Sequence, residues 1–184
     1  MPKYILTGTP GAGKTAILRQ LEINGHIVVE EAATDVIALD DALGHDERRH
    51  DERRHDDAFI DRIVRLQRQR QDAVGAASIV FFDRSPVCTL ALSHYVGVTP
   101  TRALAGEVDR VMAEGVYENT VFFIRNQGFV QATAARRISF ADSLVFERVH
   151  ERTYRDLGFE LVEVPAGPLA DRVALVRQTV EQRA

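Results

Sequence analysis

Short apolar runs alternate with longer amphipathic segments along the sequence. A continuous run of apolar residues is typical of a strand that is buried on both faces of a parallel sheet. The segments between the runs repeat apolar residues at helical spacing, as Phe59, Ile60 and Ile63 do within residues 57–74. The pattern predicts five strands, around Tyr4–Leu6, His26–Glu31, Ser78–Phe82, Val121–Ile124 and Phe159–Val164.

The segments between these strands carry helix-start signals, such as Pro86 after Ser85, a cap at Thr99 and a cap at Ser139. Strands that alternate with helices favour an α/β fold, here a five-stranded parallel sheet with helices on both faces. We expect one domain over residues 1–184. The predicted helices cover residues 15–21, a segment through Val36, Ile37 and Leu39, and residues 57–74, 85–94, 99–114, 139–157 and 169–182.

A glycine-rich segment follows the first predicted strand. It reads Gly8, Thr9, Pro10, Gly11, Ala12, Gly13, Lys14 and Thr15, a complete G-x-x-x-x-G-K-[ST] pattern between a strand and a helix. The glycines let several backbone N–H groups point at one phosphate, and the helix N-terminus adds its positive dipole end. The segment therefore predicts an ATP-binding loop, with Lys14 between the β- and γ-phosphates and the Thr15 hydroxyl on Mg²⁺.

Polar residues follow the other predicted strands. Glu31, Asp83, Arg125 and the turn at Pro165 all come directly after an apolar run. Ligands bind at the carboxyl edge of parallel sheets, so these residues are expected at the binding edge. Asp83 is a candidate second Mg²⁺ ligand, with a helix-capping role as the alternative.

Composition narrows the class of protein. The 184 residues are 45% hydrophobic and 27% charged, with a net charge of −4, which is typical of a globular protein without a global attraction for nucleic acid. No apolar run approaches the roughly 20 residues that span a bilayer, and no secretory signal pattern precedes the first strand. We expect a cytoplasmic protein that binds neither nucleic acid nor membrane, and Cys88, the single cysteine, to be a buried thiol.

An internal repeat occupies residues 45–56, where the unit His-Asp-Glu-Arg-Arg occurs twice and then begins again. A five-residue period matches neither a helix nor a strand. We interpret the repeat as a solvated loop or a frayed helix extension. The alternative is a metal site formed by His45, His50 and His55.

The order of these motifs resembles that of the kinase-like P-loop proteins. Asp83-Arg84-Ser85 is similar to the acidic-Arg-Ser triplet of deoxynucleoside kinases, and Glu31 is similar to the glutamate that these enzymes and ribosylnicotinamide kinases place after the second strand. The resemblance implies that Glu31 takes the proton of an acceptor hydroxyl and that Arg84 reaches the transferred phosphoryl group. Thr34 departs from the ribosylnicotinamide kinase pattern, which has arginine there, so the acceptor stays open.

The same resemblance implies roles for two further segments. A lid over residues 126–138 would close Arg136 and Arg137 over the phosphates, although arginines at a helix start are also often solvated. Pro165, Ala166 and Gly167 resemble the turn on which such kinases rest the adenine, with a plain connecting turn as the alternative.

Other P-loop classes match less well. The Asn-Lys-x-Asp box of GTPases is absent from the sequence, and Arg84 stands where ring-forming AAA+ motors usually have glutamate. We therefore expect an ATP- and Mg²⁺-dependent phosphotransferase that acts on a small nucleoside-like or metabolite hydroxyl. The alternative is an ATP-dependent regulator or slow ATPase without a small acceptor. An oligomer is compatible with either.

Overall fold

A five-stranded sheet forms the centre of the molecule in the computed structural model, which describes residues 2–43, 56–75, 79–128 and 139–183. The strands are β1 (Lys3–Thr7), β2 (Ile27–Val29), β3 (Val80–Asp83), β4 (Thr120–Ile124) and β5 (Glu160–Val164). The helices of the described residues are α1 (Lys14–Ile23), α2 (Ala32–Ala42), α3 (Asp57–Ala73), α4 (Pro86–Val96), α5 (Arg102–Ala113), α6 (Phe140–Asp156) and α7 (Leu169–Glu181).

All strand pairs are parallel, and their order is β2-β3-β1-β4-β5. The predicted fold class is confirmed. The chain moves from β1 to one side of the sheet and then to the other. In sheets with this topology a ligand-binding crevice is expected at the carboxyl ends of the central strands, here β1, β3 and β4. The phosphate loop begins at that point, directly after β1.

Alternation along the strands divides the core between the two faces of the sheet. Tyr4 and Leu6 of β1 face a cluster with α1 and α7, whereas Ile5 faces a cluster with α4, α5 and α6. A third cluster joins α2, α3 and α5 through residues such as Phe59 and Leu104. β3 and β4 are buried along their whole length, as their continuous apolar runs predict.

Two local predictions need correction. The second strand is shorter than predicted and ends at Val29, so Glu31 is the N-cap residue of α2 instead of a strand residue. The cap of α5 is Thr101 and not Thr99, because the Thr101 hydroxyl accepts a hydrogen bond from the N–H of Leu104 at 3.1 Å. By contrast, Ser139 caps α6 as expected.

Cys88 is buried, as predicted, and its thiol lies 3.0 Å from the Thr7 hydroxyl and 3.1 Å from the Tyr154 hydroxyl. The repeat at 45–56, with His45, His50 and His55, falls almost entirely outside the described residues. Among the helices that the structure describes, none is long and apolar enough to cross a membrane.

Candidate functional site

The phosphate loop depends on glycines with positive φ. Gly8, Gly11 and Gly13 have φ values of 134°, 84° and 88°, a region in which side-chain-bearing residues are strained. A Cβ atom on Gly8 would also clash with the backbone carbonyl of Ile124 at the end of β4. These glycines let Thr9, Pro10 and Ala12 complete the turn from β1 into α1.

Lys14 begins α1 and is buried, with 5% of its surface exposed. Its ammonium donates hydrogen bonds to the carbonyls of Gly8 and Thr9, both at 3.0 Å. Burial lowers the pKa of Lys14 to about 8; the positive charge of Arg84 adds to this, and Asp83 acts in the opposite direction. The lysine is thus held by backbone carbonyls of the same loop that is expected to bind phosphate.

Asp83 ends β3 beside the loop. The Thr15 hydroxyl lies 3.5 Å from one carboxylate oxygen of Asp83, and the other oxygen is buried without a hydrogen-bond partner among the described residues. Burial raises the pKa of Asp83, an effect that Glu31 strengthens and Lys14 opposes. A buried carboxylate beside a phosphate loop, with one oxygen near a threonine hydroxyl and the other without a hydrogen bond, can coordinate a cation.

These oxygens fit Mg²⁺, which proteins commonly bind through one or two carboxylates together with substrate phosphates. No cluster of three or more His, Cys, Asp or Glu side chains suited to a metal ion occurs in the part of the chain that the structure describes. A Mg²⁺ ion at Thr15 and Asp83 would therefore depend on the phosphates for its remaining ligands.

Arg84 and Glu31 form an ion pair across the ends of β3 and β2, with 2.5 Å between Nε and Oε1. Arg84 has a φ of 71°, which makes it the one non-glycine residue of the described chain with positive φ. Such a conformation costs energy and is typical of functional sites. Burial opposes the charge of Arg84, but the field of Glu31 keeps its pKa above the ordinary value.

The two adjacent glutamates point to different partners. Glu31 accepts a hydrogen bond from the Thr34 hydroxyl at 3.0 Å and has 23% of its side chain exposed. Glu30 is 49% exposed and pairs with Arg19 of α1. The structure therefore brings Glu31, and not Glu30, to Arg84. Thr34, which replaces the arginine of the related pattern, holds the glutamate.

Arg125 follows β4, and its guanidinium is held by Glu147 and Glu151 of α6 and Glu163 of β5 at 3.1, 2.9 and 2.6 Å. Burial works against its charge, yet these carboxylates raise the pKa of Arg125 above its ordinary value. The predicted adenine turn, Pro165 to Gly167, is exposed between β5 and α7. Arg136 and Arg137 lie outside the described residues.

Two buried residues near the loop were missed by sequence reasoning. Arg172 of α7 lies against the loop at Gly13, and His150 of α6 is fully buried with Nδ1 3.1 Å from the carbonyl of Phe146. Burial lowers the pKa of His150 to about 3, and the charge of Arg84 contributes. The sequence did contain one signal for both residues, since each falls among the buried apolar positions of its helix. Arg172 is next to Val173, and His150 is one turn after Phe146.

Known proteins provide an independent comparison. The sequence matches the family described as an AAA domain over residues 3–172. The matched residues include the whole phosphate loop, Glu31 and Asp83. A comparison with curated protein sequences gave no significant match.

Solved structures share the fold. Deoxyadenosine kinase from M. mycoides with dCMP and dCDP is 15% identical with a TM-score of 0.61, and the match covers 99% of this chain and 100% of that one. The same enzyme with bound dATP is 13% identical with a TM-score of 0.61, and the match covers 98% of this chain and 100% of that one. NadR protein in complex with NAD and AMP-PNP is 13% identical at 0.64, with coverage of 96% of this chain and 49% of that chain. The kinase-like P-loop resemblance is thereby confirmed for the fold.

Proposed function

The chain belongs to the AAA domain family, and from that premise we propose that it is an ATP-dependent phosphotransferase acting on a small nucleoside-like or metabolite hydroxyl. The observation that carries this proposal is the meeting of a phosphate loop with an ion pair at one edge of the sheet. Asp83 lies near both of these features. Its carboxylate is 3.5 Å from the Thr15 hydroxyl, and its pKa, which burial raises, responds to the charges of Lys14, Glu31 and Arg84.

Each residue has a role in the proposed reaction. Gly8 to Thr15 hold the phosphates of ATP through backbone N–H groups, and Lys14 leaves the carbonyls of Gly8 and Thr9 to contact the β- and γ-phosphates. Thr15 and Asp83 would hold Mg²⁺, which would supply positive charge to the phosphates of ATP.

Glu31 is the proposed base on the acceptor side. Its carboxylate orients the acceptor hydroxyl and receives its proton, while Arg84, held beside it, stabilises the transferred phosphoryl group. An acceptor hydroxyl that enters this crevice must compete with Arg84 for the glutamate. The Thr34 hydroxyl holds the second carboxylate oxygen and keeps the side chain oriented.

The remaining roles follow from the family resemblance. Arg136 and Arg137 would stabilise the transferred group from a lid, and Pro165, Ala166 and Gly167 would support the adenine. The dATP and AMP-PNP bound by the proteins of similar fold support a nucleotide as the ligand of this crevice.

The test is ADP release with Mg²⁺ and ATP, measured with and without a panel of ribonucleosides, deoxynucleosides and hydroxyl-bearing vitamins. We expect one acceptor class to stimulate turnover and to appear as its phosphate ester by mass spectrometry. Turnover that no acceptor stimulates would contradict a phosphotransferase and favour the regulator or slow ATPase. Lys14→Ala serves as the blank for contaminating ATPases.

A further inference from the structure

Arg172 is a buried cation without an anionic partner in the described chain. Only 4% of the residue is exposed, and no carboxylate in residues 2–43, 56–75, 79–128 or 139–183 forms an ion pair with it. One terminal nitrogen donates to the backbone carbonyl of Arg125 at 3.2 Å, and Nε has no hydrogen-bond partner among the described residues. Buried guanidinium groups are usually paired, since an isolated buried charge is costly.

The guanidinium of Arg172 lies beside the phosphate loop, where a bound phosphate would be its anionic partner. A Cβ atom added to Gly13 would lie 2.8 Å from Nη1 of Arg172, so the charged group packs directly against the phosphate loop. Gly13 precedes Lys14 and has the positive φ that turns the loop into α1. The side chain therefore places a fixed positive charge beside the loop, on the side of the sheet formed by β4 and β5.

The surrounding charges do not compensate it. Three carboxylates at this end of the sheet, those of Glu147, Glu151 and Glu163, are held by Arg125, whose backbone carbonyl accepts a hydrogen bond from Arg172. Burial lowers the pKa of Arg172, and no acidic group acts in the opposite direction. The helix bearing it otherwise buries apolar residues, Val173, Val176 and Val180.

We propose that Arg172 is a further nucleotide-binding residue, whose guanidinium at Gly13 supplies the counter-charge for a polyphosphate chain in the loop. This inference rests on the proposed ATP binding. A polyphosphate in the loop brings several negative charges close to the Arg172 guanidinium, which has no anionic partner in the described chain. Water screens this attraction little at a buried position. The charge is placed before the ligand arrives, so no side chain needs to be reordered for it.

The inference predicts an unusual pair of effects. Arg172→Met should lower the affinity for ATP about 10- to 100-fold, the range typical of a lost interaction with a charged group. The melting temperature of the ligand-free protein should stay the same or rise, because the variant removes an unpaired buried charge and keeps an unbranched side chain of similar length. Arg172→Lys should retain most of the ATP affinity, since it keeps the charge.

Calorimetry with ATP and with inorganic tripolyphosphate, alongside thermal unfolding of the ligand-free proteins, tests this. Arg177→Met is the matched control, because Arg177 lies on the same helix, is exposed and faces Glu181. Equal losses for ATP and tripolyphosphate in Arg172→Met support the inference. The inference is overturned if Arg172→Met leaves the affinity for ATP or for tripolyphosphate unchanged. It is also overturned if the ligand-free variant unfolds many degrees lower, because Arg172 would then be needed for the stability of the fold. Failure of the parent protein to bind ATP would instead overturn the proposed function.

Discussion

The two sides of the binding edge distribute charge in different ways. On the β2–β3 side, opposite charges meet within the site: Glu31 pairs with Arg84, and Asp83 lies beside Lys14. On the β4–β5 side the charges are unevenly shared, since Arg125 pairs with three glutamates while Arg172 has no carboxylate partner in the described ranges. We expect a ligand to exchange ion-pair partners on the first side and, on the second side, to supply the negative charge that Arg172 lacks. We therefore propose that chemistry takes place on the first side and that the second side anchors the ligand.

The largest expected effect is on the side where charges are exchanged. Glu31→Gln keeps the shape of the side chain but removes the basic carboxylate, so kcat should fall roughly 10²–10⁴-fold, the usual contribution of a general base. ATP affinity should change little. Steady-state kinetics with the stimulating acceptor provides the measurement.

Glu30→Gln is the control, because Glu30 pairs with Arg19 on the exposed side of α1 and not with Arg84. Its kcat should match that of the parent. A slower Glu30→Gln enzyme, or parent-like kcat in Glu31→Gln, would reverse the assignment of the base.

Lys14→Ala should have the next largest effect, now on binding. Loss of hydrogen bonds to two phosphates should weaken ATP by about 100-fold or more, since each bond to a charged group contributes roughly 1.5–3 kcal/mol. Calorimetric titration with ATP measures this. Lys3→Ala is the control, because Lys3 is the other lysine of the sequence and starts β1 at the end opposite the loop. Unchanged ATP affinity in Lys14→Ala would be incompatible with the phosphate-loop assignment.

The third prediction contrasts the two arginines of the β4–β5 side. Arg125→Met removes the cation that Glu147, Glu151 and Glu163 share, and should destabilise the fold by about 1–3 kcal/mol. Glu151 keeps its second ion pair, with Arg155 at 2.7 Å. A protein of this size should then melt several degrees lower. Thermal unfolding should show Arg125→Met to be less stable than Arg172→Met. Calorimetry with ATP should show Arg172→Met to bind ATP more weakly than Arg125→Met. Similar melting temperatures for both variants would remove the distinction between the two arginines.

The last prediction concerns His150 of α6, whose ring feels the charge of Arg84. Its pKa falls from an ordinary value of 6.5 to about 3 on folding, so the folded state favours the neutral ring. The resulting stability is complete above pH 6.5 and is lost as the pH falls towards 3. Urea unfolding across this range should show a shallower decline for His150→Asn than for the parent. Parallel curves for His150→Asn and the parent would contradict the buried neutral histidine.

Sequence patterns predicted the sheet well because β3 and β4 are continuous apolar runs, and the loop because its glycines and Lys14 form a complete motif. They overextended β2, since two glutamates after Val29 do not reveal that Glu31 already caps a helix. They also placed Glu31 and Arg84 at the same edge without showing that the two form a pair.

Arg172 and His150 could not be assigned from the sequence for a physical reason. A charged residue on an apolar helical stripe can extend its polar end to solvent, and only the packing of α6 and α7 on the sheet shows that these two do not. Their importance depends on long-range neighbours, the loop at Gly13 and the charge of Arg84.

The most direct test of the central claim follows the γ-phosphoryl group itself. ATP labelled at the γ-phosphate is incubated with Mg²⁺, the parent protein and the acceptor panel, and the labelled products are separated. The account predicts that label appears in an organic phosphate ester, and that Glu31→Gln suppresses this transfer while Glu30→Gln does not. Label recovered only as inorganic phosphate, at a rate that no acceptor changes, would contradict it.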